Sequence, residues 1–285
     1  MGYMKKILVT GAGGYIGRHV VQKLLEHNVQ VIATDLFVDE IDKRAQIIKA
    51  DIFGEMENLF EYFGCPDVCV HMAWRNGFIH NSDTHIGDLS SHFNFLRKMI
   101  NSELKQLTVM GTMHEIGYHE GAIDENTPCN PVSMYGISKD ALRRSVQLLV
   151  NEKDIVFQWL RGFYIYGDDK KNNSIFAKLL LAAEEGKTEF PFTTGKNLYD
   201  FIHVDELAKQ IAACVVQTEI TGIINCCTGQ PVSLAERVEG FIKEHGLNIK
   251  LVYGAFPDRK YDSPGIWGDD GKIIEIIKHN KETIL

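Results

Sequence analysis

Two residues in the segment "MYGISK", Tyr135 and Lys139, have the types and the spacing that proton transfer needs. Side chains four residues apart at the start of a helix share one face, so the phenol and the ammonium would be neighbours. A free tyrosine has a pKa of about 10, which is too high for ready proton exchange at neutral pH. An adjacent ammonium favours phenolate, so we expect Lys139 to lower the pKa of Tyr135 and make it a usable acid or base.

A hydroxyl stands at the end of an apolar run in "TVMGTMHEIG", where Thr112 follows "LTVMG" (107 to 111). The run predicts a buried strand, and a parallel sheet presents its ligand at the carboxyl ends of its strands. We therefore expect the Thr112 hydroxyl to hold a substrate oxygen beside the phenol of Tyr135.

The segment "ILVTGAGGYIGRHVVQKLLE" places three glycines where an apolar strand turns into an amphipathic helix. Glycine allows a tight turn, close approach of backbone N–H groups to a pyrophosphate, and close packing of helix on strand. The positive end of the helix dipole would face the phosphates. The pattern predicts a dinucleotide site formed by Gly11, Gly14, Tyr15, Ile16 and Gly17.

An acid after the second predicted strand completes the nucleotide pattern, since Asp35 lies 18 residues past Gly17. A carboxylate there can accept hydrogen bonds from both ribose hydroxyls of an adenosine and would repel a 2′-phosphate. This favours NAD(H) over NADP(H). Asp51 with Ile52, after "IIKA", could flank the adenine, although a surface acid is nearly as good an interpretation of Asp51.

Taken together, the ordered motifs resemble those of the extended short-chain dehydrogenases/reductases, the group that contains nucleotide-sugar epimerases, dehydratases and 4-keto reductases. The resemblance implies an α/β fold, a Rossmann doubly wound parallel sheet with a smaller interleaved C-terminal substrate lobe. It rests on "TGAGGYIG" for TGxxGxxG, "VHMAW" for an HLAA-like strand end, "GTMHEIG" for the Ser/Thr segment, "YGISK" for YxxxK, "LRGFYIYG" for an Arg-bearing strand, and "YDFIHVDELA" for the second-lobe signature.

By this resemblance the catalytic residues would be Thr112, Tyr135 and Lys139. Tyr135 would pass a proton to or from the sugar oxygen, and Lys139 would also grip the nicotinamide ribose. Further positions are implied on the cofactor and substrate sides: Met72, Ala73 and Trp74 along the cofactor, Arg259 in "FPDRKYDSP" at the diphosphate, and Asn173 as a second candidate there or an ordinary polar loop residue.

Departures from the family pattern narrow the predicted function. Sugar 4,6-dehydratases of the family carry Thr-Asp-Glu, whereas Met113 and His114 stand at the acid and base positions here, so the dehydration machinery is absent. Tyr164 replaces the asparagine usual in epimerases and dehydratases and is similar to the sugar-nucleotide 4-keto reductases. We expect Met113, His114 and Glu115 on the substrate side, with a structural role as the alternative for His114.

Composition excludes several classes of function. The 285 residues carry a net charge of −8, which disfavours nucleic acid and anionic membranes as partners. The six cysteines lack metal or disulfide spacing, so we expect no metal, reduced thiols and a cytoplasmic location. The apolar runs are too short for a signal peptide or a membrane span. His71, inside an apolar strand, is predicted to be a core histidine with satisfied hydrogen bonds.

Short β-branched runs alternate with amphipathic segments, which is typical of repeated βαβ units. We expect an NAD-binding domain over 1–167 with a returning segment near 200–228, and a substrate lobe over 168–199 and 229–285. Strands are predicted at 6–10, 29–34, 68–72, 107–111, 155–160 and 222–226, and helices at 15–27, 87–101, 134–151 and 204–217.

The sequence thus predicts an NAD(H)-dependent reductase of a 4-keto-6-deoxy-sugar nucleotide. A nucleotide-sugar 4-epimerase, which uses the same three catalytic residues, is the alternative, and a non-catalytic NAD-sensing protein is a third. Apolar stripes on the helices near 87–101 and 134–151 pack on the sheet and, by resemblance, could form a homodimer seam.

Overall fold

A seven-stranded parallel sheet forms the centre of the molecule, in a computed structural model that describes residues 4–258 and 262–283, with side chains to residue 280. Its seven strands are β1 (Lys5–Thr10), β2 (Val29–Asp35), β3 (Gln46–Lys49), β4 (Val68–His71), β5 (Gln106–Thr112), β7 (Val156–Gly162) and β12 (Gly222–Cys226). Five strands between them along the chain belong to smaller sheets: β6 (Gly121–Ile123), β8 (Tyr164–Tyr166), β9 (Glu189–Pro191), β10 (Leu198–Tyr199) and β11 (Phe201–His203). The spatial order is β12-β7-β5-β4-β1-β2-β3. Since the order reverses between β1 and β4, this is a doubly wound Rossmann sheet, as predicted.

The remaining strands and the helices complete the element list. The strands are β13 (Val232–Ser233), β14 (Lys250–Val252) and β15 (Gly265–Gly268). The helices are α1 (Tyr15–Leu24), α2 (Leu59–Tyr62), α3 (Thr84–Gly87), α4 (Leu89–Ile100), α5 (Met134–Val150), α6 (Ile175–Glu184), α7 (Val204–Val216), α8 (Leu234–Glu244) and α9 (Gly271–Thr283).

The six predicted strands and four predicted helices all form, with ends that differ by a few residues. In this sheet, the strand that the sequence did not predict is β3, at the sheet edge, whose two end residues are exposed and whose two middle residues are partly buried. Such a short edge strand needs little apolar patterning, because only one neighbour pairs with it. Its parallel pairing with β2 fixes the loop that follows Asp35.

Apolar residues cover both faces of the sheet, which is why its strands are almost continuously apolar. One buried cluster lies with α1, α7 and α9, and a second lies with α4 and α5. The strand β12 returns from the second half of the chain and pairs with β7, as the sequence predicted.

A third buried cluster belongs to a smaller lobe built on β6, β10, β13, β15, α6 and α8. The buried carboxylate of Asp200 joins this lobe to the sheet by accepting hydrogen bonds from the backbone N–H groups of Thr228, Gly229 and Gly268 (2.9, 2.9 and 3.2 Å). The lobe therefore has a fixed attachment close to the carboxyl ends of the sheet strands. None of the helices in the described part of the chain has the length and apolar run that crossing a bilayer needs.

Candidate active site

A cleft of about 740 Å³ opens at the carboxyl ends of the strands, where the strand order reverses, and extends to the smaller lobe. Open α/β sheets bind ligands at this position. Its wall includes most of the residues that the sequence predicted for the site: Gly11, Gly14, Tyr15, Ile16, Gly17, Met72, Trp74, Thr112, His114, Tyr135, Lys139, Tyr164 and Asn173.

The glycine turn between β1 and α1 forms one end of the cleft. Gly11 has a φ of +69°, a left-handed conformation that favours glycine. A Cβ on Gly17 would lie 2.0 Å from the carbonyl oxygen of Gly11, so α1 can approach the turn only without a side chain there. The turn is consequently tight, and the N-terminus of α1 faces the cleft.

Asp35 lies at the end of β2 beside this turn. Its carboxylate accepts hydrogen bonds from the backbone N–H of Gly13 (3.0 Å) and of Phe37 (3.1 Å). Asp51 is exposed and accepts a hydrogen bond from the N–H of Phe53 (3.0 Å), while Ile52 is buried in the cluster of α4 and α5. Asp35 is therefore part of the glycine turn, whereas Asp51 keeps both interpretations that the sequence left open.

Tyr135 is fixed at the start of α5 by backbone contacts. Ser133 caps the helix by accepting a hydrogen bond from the N–H of Gly136 (3.2 Å), and the N–H of Tyr135 donates to the carbonyl oxygen of His80 (2.9 Å). The phenol forms a side-chain hydrogen bond with Thr112. The structure thus brings together the hydroxyl and the phenol that the sequence predicted to be adjacent.

The pKa of the phenol moves opposite to the sequence expectation. Burial raises the pKa of Tyr135 to about 12, against a smaller lowering by the hydrogen bond with Thr112. Burial lowers the pKa of Lys139 to about 7, partly offset by the negative charge of Glu115. The Lys139 ammonium donates instead to the carbonyl oxygen of Met110 (2.6 Å). Desolvation outweighs charge pairing here, and the phenol stays protonated at neutral pH.

The residues after Thr112 form a short 3₁₀ turn, Met113–Glu115, that separates their side chains. With three residues per turn, successive side chains diverge by about 120°. Met113, a predicted substrate contact, has its side chain buried in the cluster of the smaller lobe. His114 does line the cleft, and its ring lies 4.3 Å from that of His80. Burial lowers the pKa of His114 to about 3, so it faces the cleft as a neutral group.

Glu115 also departs from the expectation of a substrate-side residue, since it is fully buried beneath the site. Its carboxylate accepts hydrogen bonds from the N–H of Thr112 (2.8 Å), the indole of Trp159 (2.8 Å) and the buried guanidinium of Arg161 (3.3 Å). Burial raises the pKa of Glu115, and these donors oppose the change. Its role is to fix Thr112 from below.

Glu115 also lies in a cluster of side chains of the types that bind metal ions. The ligand atoms of Glu115, Cys129 and Asp140 are within 4.8 Å of one another. Two guanidinium groups already contact this group: Arg143 donates to Asp140 (2.6 Å), and Arg161 contacts Cys129 (3.4 Å). The negative groups are paired with cations, so the cluster is part of the ion-pair network under the site.

The other predicted residues take varied positions. His71 is a core histidine with satisfied hydrogen bonds, to Thr10 and His92 (both 2.9 Å), as predicted. Ala73 lies against the glycine turn, where its backbone N would be 2.5 Å from a Cβ on Gly11. Arg259 falls outside the described residues.

The sequence did not predict several parts of the wall. Among them are the loop 76–80 after β4 and the aromatic rings of Tyr199 on β10 and Phe201 on β11. The signal for the loop was its place after a sheet strand, since loops at that edge form the ligand site. The two rings carry no local signal, because their position depends on how the lobe packs.

The cleft fits a dinucleotide on grounds of its own geometry. The glycine turn packs its backbone more closely against its neighbours than a side chain would allow, and Asp35 stands beside it. The buried hydroxyl of Tyr15 has no hydrogen-bond partner among the described residues, although a buried donor normally has one. A polar ligand along α1 would satisfy that hydroxyl.

Comparisons with known proteins agree with this geometry. The family model of the NAD dependent epimerase/dehydratase family matches residues 7–227. The chain is 42% identical over 268 residues, 92% of its length and 98% of the relative's, to dTDP-6-deoxy-L-talose 4-dehydrogenase (NAD(+)) of Aggregatibacter actinomycetemcomitans. It is 28% identical to a putative UDP-glucose 4-epimerase of Methanocaldococcus jannaschii, with 87% of this chain and 85% of the relative covered. The fold is similar to that of the UDP-glucose 4-epimerase of Thermotoga maritima with UDP-glucose, with a TM-score of 0.79, 22% identity, and 98% of this chain and 100% of that chain covered.

Proposed function

The chain belongs to the NAD-dependent epimerase/dehydratase family, and on that premise we propose that it is an NAD(H)-dependent reductase of a 4-keto-6-deoxy-sugar nucleotide. One observation carries the proposal. The 3₁₀ turn after Thr112 presents only the neutral His114 to the cleft, while Met113 and Glu115 are buried. An acid and base pair for removing water is therefore missing from this turn, and the groups at the cleft suit proton delivery to a keto oxygen. The name of the relative from A. actinomycetemcomitans supports the same class of substrate.

The NAD-binding part of the chain would be 1–167 with the segment near 200–228. The turn from Gly11 to Gly17 would bind the pyrophosphate at the N-terminus of α1, and Asp35 would accept hydrogen bonds from the adenosine ribose. Lys139 would donate to the nicotinamide ribose. Bound NADH supplies the hydride that reduces the keto carbon, while the protein supplies alignment and the proton.

Proton transfer is the work of Tyr135. With a pKa of about 12 the phenol is protonated at neutral pH and can donate to the keto oxygen as negative charge develops there. Thr112 is hydrogen-bonded to the phenol and aligns the same oxygen. The ammonium of Lys139 would stabilise the phenolate that remains.

The sugar nucleotide would lie between the sheet and the smaller lobe. The proposed bounds of this substrate-binding lobe are 168–199 and 229–285. The rings of Tyr164 and Tyr199 pack at a tilt of 30°, with centroids 4.2 Å apart, at this side of the cleft and form an apolar surface suited to a deoxy sugar. Asn173 lines the same cleft and is our candidate for a polar contact to the diphosphate, with Arg259 as a second candidate from outside the described residues.

A direct assay tests the function. The purified protein is incubated with NADH and a panel of 4-keto-6-deoxy-sugar nucleotides, while NADH absorbance is followed and products are resolved by mass and NMR. We expect stoichiometric NADH oxidation and a product two hydrogens heavier than the substrate. Interconversion of isomeric nucleotide sugars without net oxidation would contradict the reductase and establish the 4-epimerase.

Cofactor choice gives a second prediction. We expect Asp35→Ala to weaken NADH binding by roughly 10- to 100-fold, because it removes charged hydrogen bonds to the ribose and also releases the N–H of Gly13. NADPH binding should weaken less or improve, since the repulsion of a 2′-phosphate is gone. Fluorescence titration with both nucleotides measures the ratio, and the exposed Asp154→Asn is the control. An unchanged ratio of the two affinities would contradict the role of Asp35.

Two further assignments are part of the proposal. A homodimer through α4 and α5 is supported by apolar side chains of α5 that are exposed in the single chain, Met134, Ile137 and Leu148. Light scattering after size-exclusion chromatography would test the homodimer.

A cytoplasmic location is supported by the cysteines, which are free thiols in the structure.

A further inference from the structure

An indole lies between the catalytic lysine and a buried pair of histidines. The Nζ atom of Lys139 lies 3.9 Å from the ring centroid of Trp74, which places the ammonium over the ring face. The Trp74 ring also meets Tyr135 edge-on, with centroids 6.1 Å apart. One side chain therefore contacts both residues of the YxxxK pair.

Trp74 is itself held by two histidines. Its ring stacks on His92 with centroids 4.3 Å and planes 17° apart. Its indole N–H donates to Nδ1 of His85 (3.0 Å), and Nε2 of His85 is hydrogen-bonded to the carbonyl oxygen of Ile79 (3.0 Å). Since Nδ1 must accept from the indole, Nε2 carries the proton, and this tautomer fixes the indole plane.

His92 is anchored in turn from the centre of the sheet. Its Nδ1 is 2.9 Å from Nε2 of His71, and Nδ1 of His71 is 2.9 Å from the hydroxyl of Thr10. Burial lowers the pKa of both histidines, and the charge of Lys139 lowers both further. The pair is neutral, so it can support the indole without placing a second cation beside the lysine.

We propose that Trp74 is a positioning residue, whose ring face holds the Lys139 ammonium in the orientation needed beside Tyr135 and the cofactor ribose. A ring face attracts a cation without using its hydrogens. Within the described residues, one of the three N–H donors of Lys139 goes to Met110, which leaves the other two for a ligand. This role rests on the proposed function, because it concerns the residues assigned to that reaction.

The contact also bears on the charge of Lys139. Among the described residues, the titratable groups coupled to Lys139 are Glu115, whose negative charge favours the ammonium, and His71 and His92, which are neutral. Removing the ring face removes an interaction made only with the charged form. The pKa of Lys139 would then fall, and the ammonium would lose its proton at a lower pH than in the wild type. The pH at which activity falls on the alkaline side should therefore decrease.

The test compares Trp74→Phe, which keeps a ring face, with Trp74→Leu, which does not. We expect Trp74→Leu to move the alkaline limb of the kcat profile down by about one pH unit, while Trp74→Phe stays near the wild-type limb. Phe53→Leu is the matched control, since Phe53 contacts the same His92 (4.7 Å) on a surface-exposed position and should leave the limb in place. If Trp74→Leu fails to fold, Trp74→Met replaces it with the same expected result.

An unmoved limb in Trp74→Leu, with kcat lowered equally at every pH, would overturn the proposal, as would equal shifts in the Phe and Leu variants. NADH affinity measured by fluorescence from pH 6 to 9 gives a readout that needs no sugar substrate. We expect affinity to decline at lower pH in Trp74→Leu than in the wild type. If the wild type reduces no 4-keto sugar nucleotide, the proposed function fails, and the NADH series still decides the role of Trp74.

Discussion

Replacing Tyr135 by phenylalanine is expected to lower kcat about 1,000-fold, within the range that general acid catalysis contributes. The ring would keep its packing against Trp74 and His80, so the change removes little besides the hydroxyl. NADH affinity should stay within about two-fold of the wild type, because the glycine turn, Asp35 and Lys139 are untouched. Steady-state kinetics with the keto sugar nucleotide, together with NADH fluorescence titration, measures both quantities.

The same substitution at Tyr118 provides the control. Tyr118 is exposed and hydrogen-bonded to Glu120 on the surface, and Tyr118→Phe should leave kcat and NADH affinity unchanged. A Tyr135→Phe variant that keeps more than half of wild-type turnover would exclude Tyr135 as the acid.

This experiment also separates an enzyme from a non-catalytic NAD sensor of the same fold. A sensor has no use for the acid, so its cofactor binding and its response to NAD would be the same with and without the phenol. Fold alone does not fix function, and the argument for catalysis therefore depends on the chemistry of Tyr135.

The sequence predicted the parts of the site that follow from local patterns. The glycine turn, Asp35 after β2 and Tyr135 on α5 each depend on one strand or helix and its neighbours along the chain. Alternating apolar runs and amphipathic segments specify such elements, and the rule on carboxyl ends of strands then brings them together. For these residues little depends on side-chain packing between distant segments.

The 3₁₀ turn after Thr112 shows where that reasoning stops. The pattern TMHE places four residues near the site, but whether each of the last three faces cleft or core depends on the rotation of a turn stabilised by Glu115 and Trp159. Desolvation of Tyr135 was equally hidden, because it comes from segments far apart in the chain. The grouping of His71, His85 and His92 around Trp74 likewise required the packing of α3 and α4 on the sheet.

Replacing Glu115 by alanine is expected to lower the free energy of unfolding by about 3–5 kcal/mol, because it leaves a buried guanidinium without its counter-charge. The side chains of Glu115 and Arg161 are both fully buried, and the N–H groups of Thr112 and Trp159 would lose their acceptor. The melting temperature should fall by roughly 10 °C. Thermal and urea unfolding measure the loss.

A surface pair and a double replacement distinguish this explanation from a general sensitivity to lost charge. Glu125 forms a partly exposed pair with Lys272 (2.6 Å), and Glu125→Gln should cost less than about 1 kcal/mol. Glu115→Leu combined with Arg161→Met should be more stable than Glu115→Ala alone, since both charges are then absent. If Glu115→Ala unfolds no more readily than Glu125→Gln, the buried pair does not stabilise the floor of the site. If Glu115→Ala unfolds as expected, the Glu115 carboxylate stabilises the floor of the site, where it accepts the backbone N–H of Thr112.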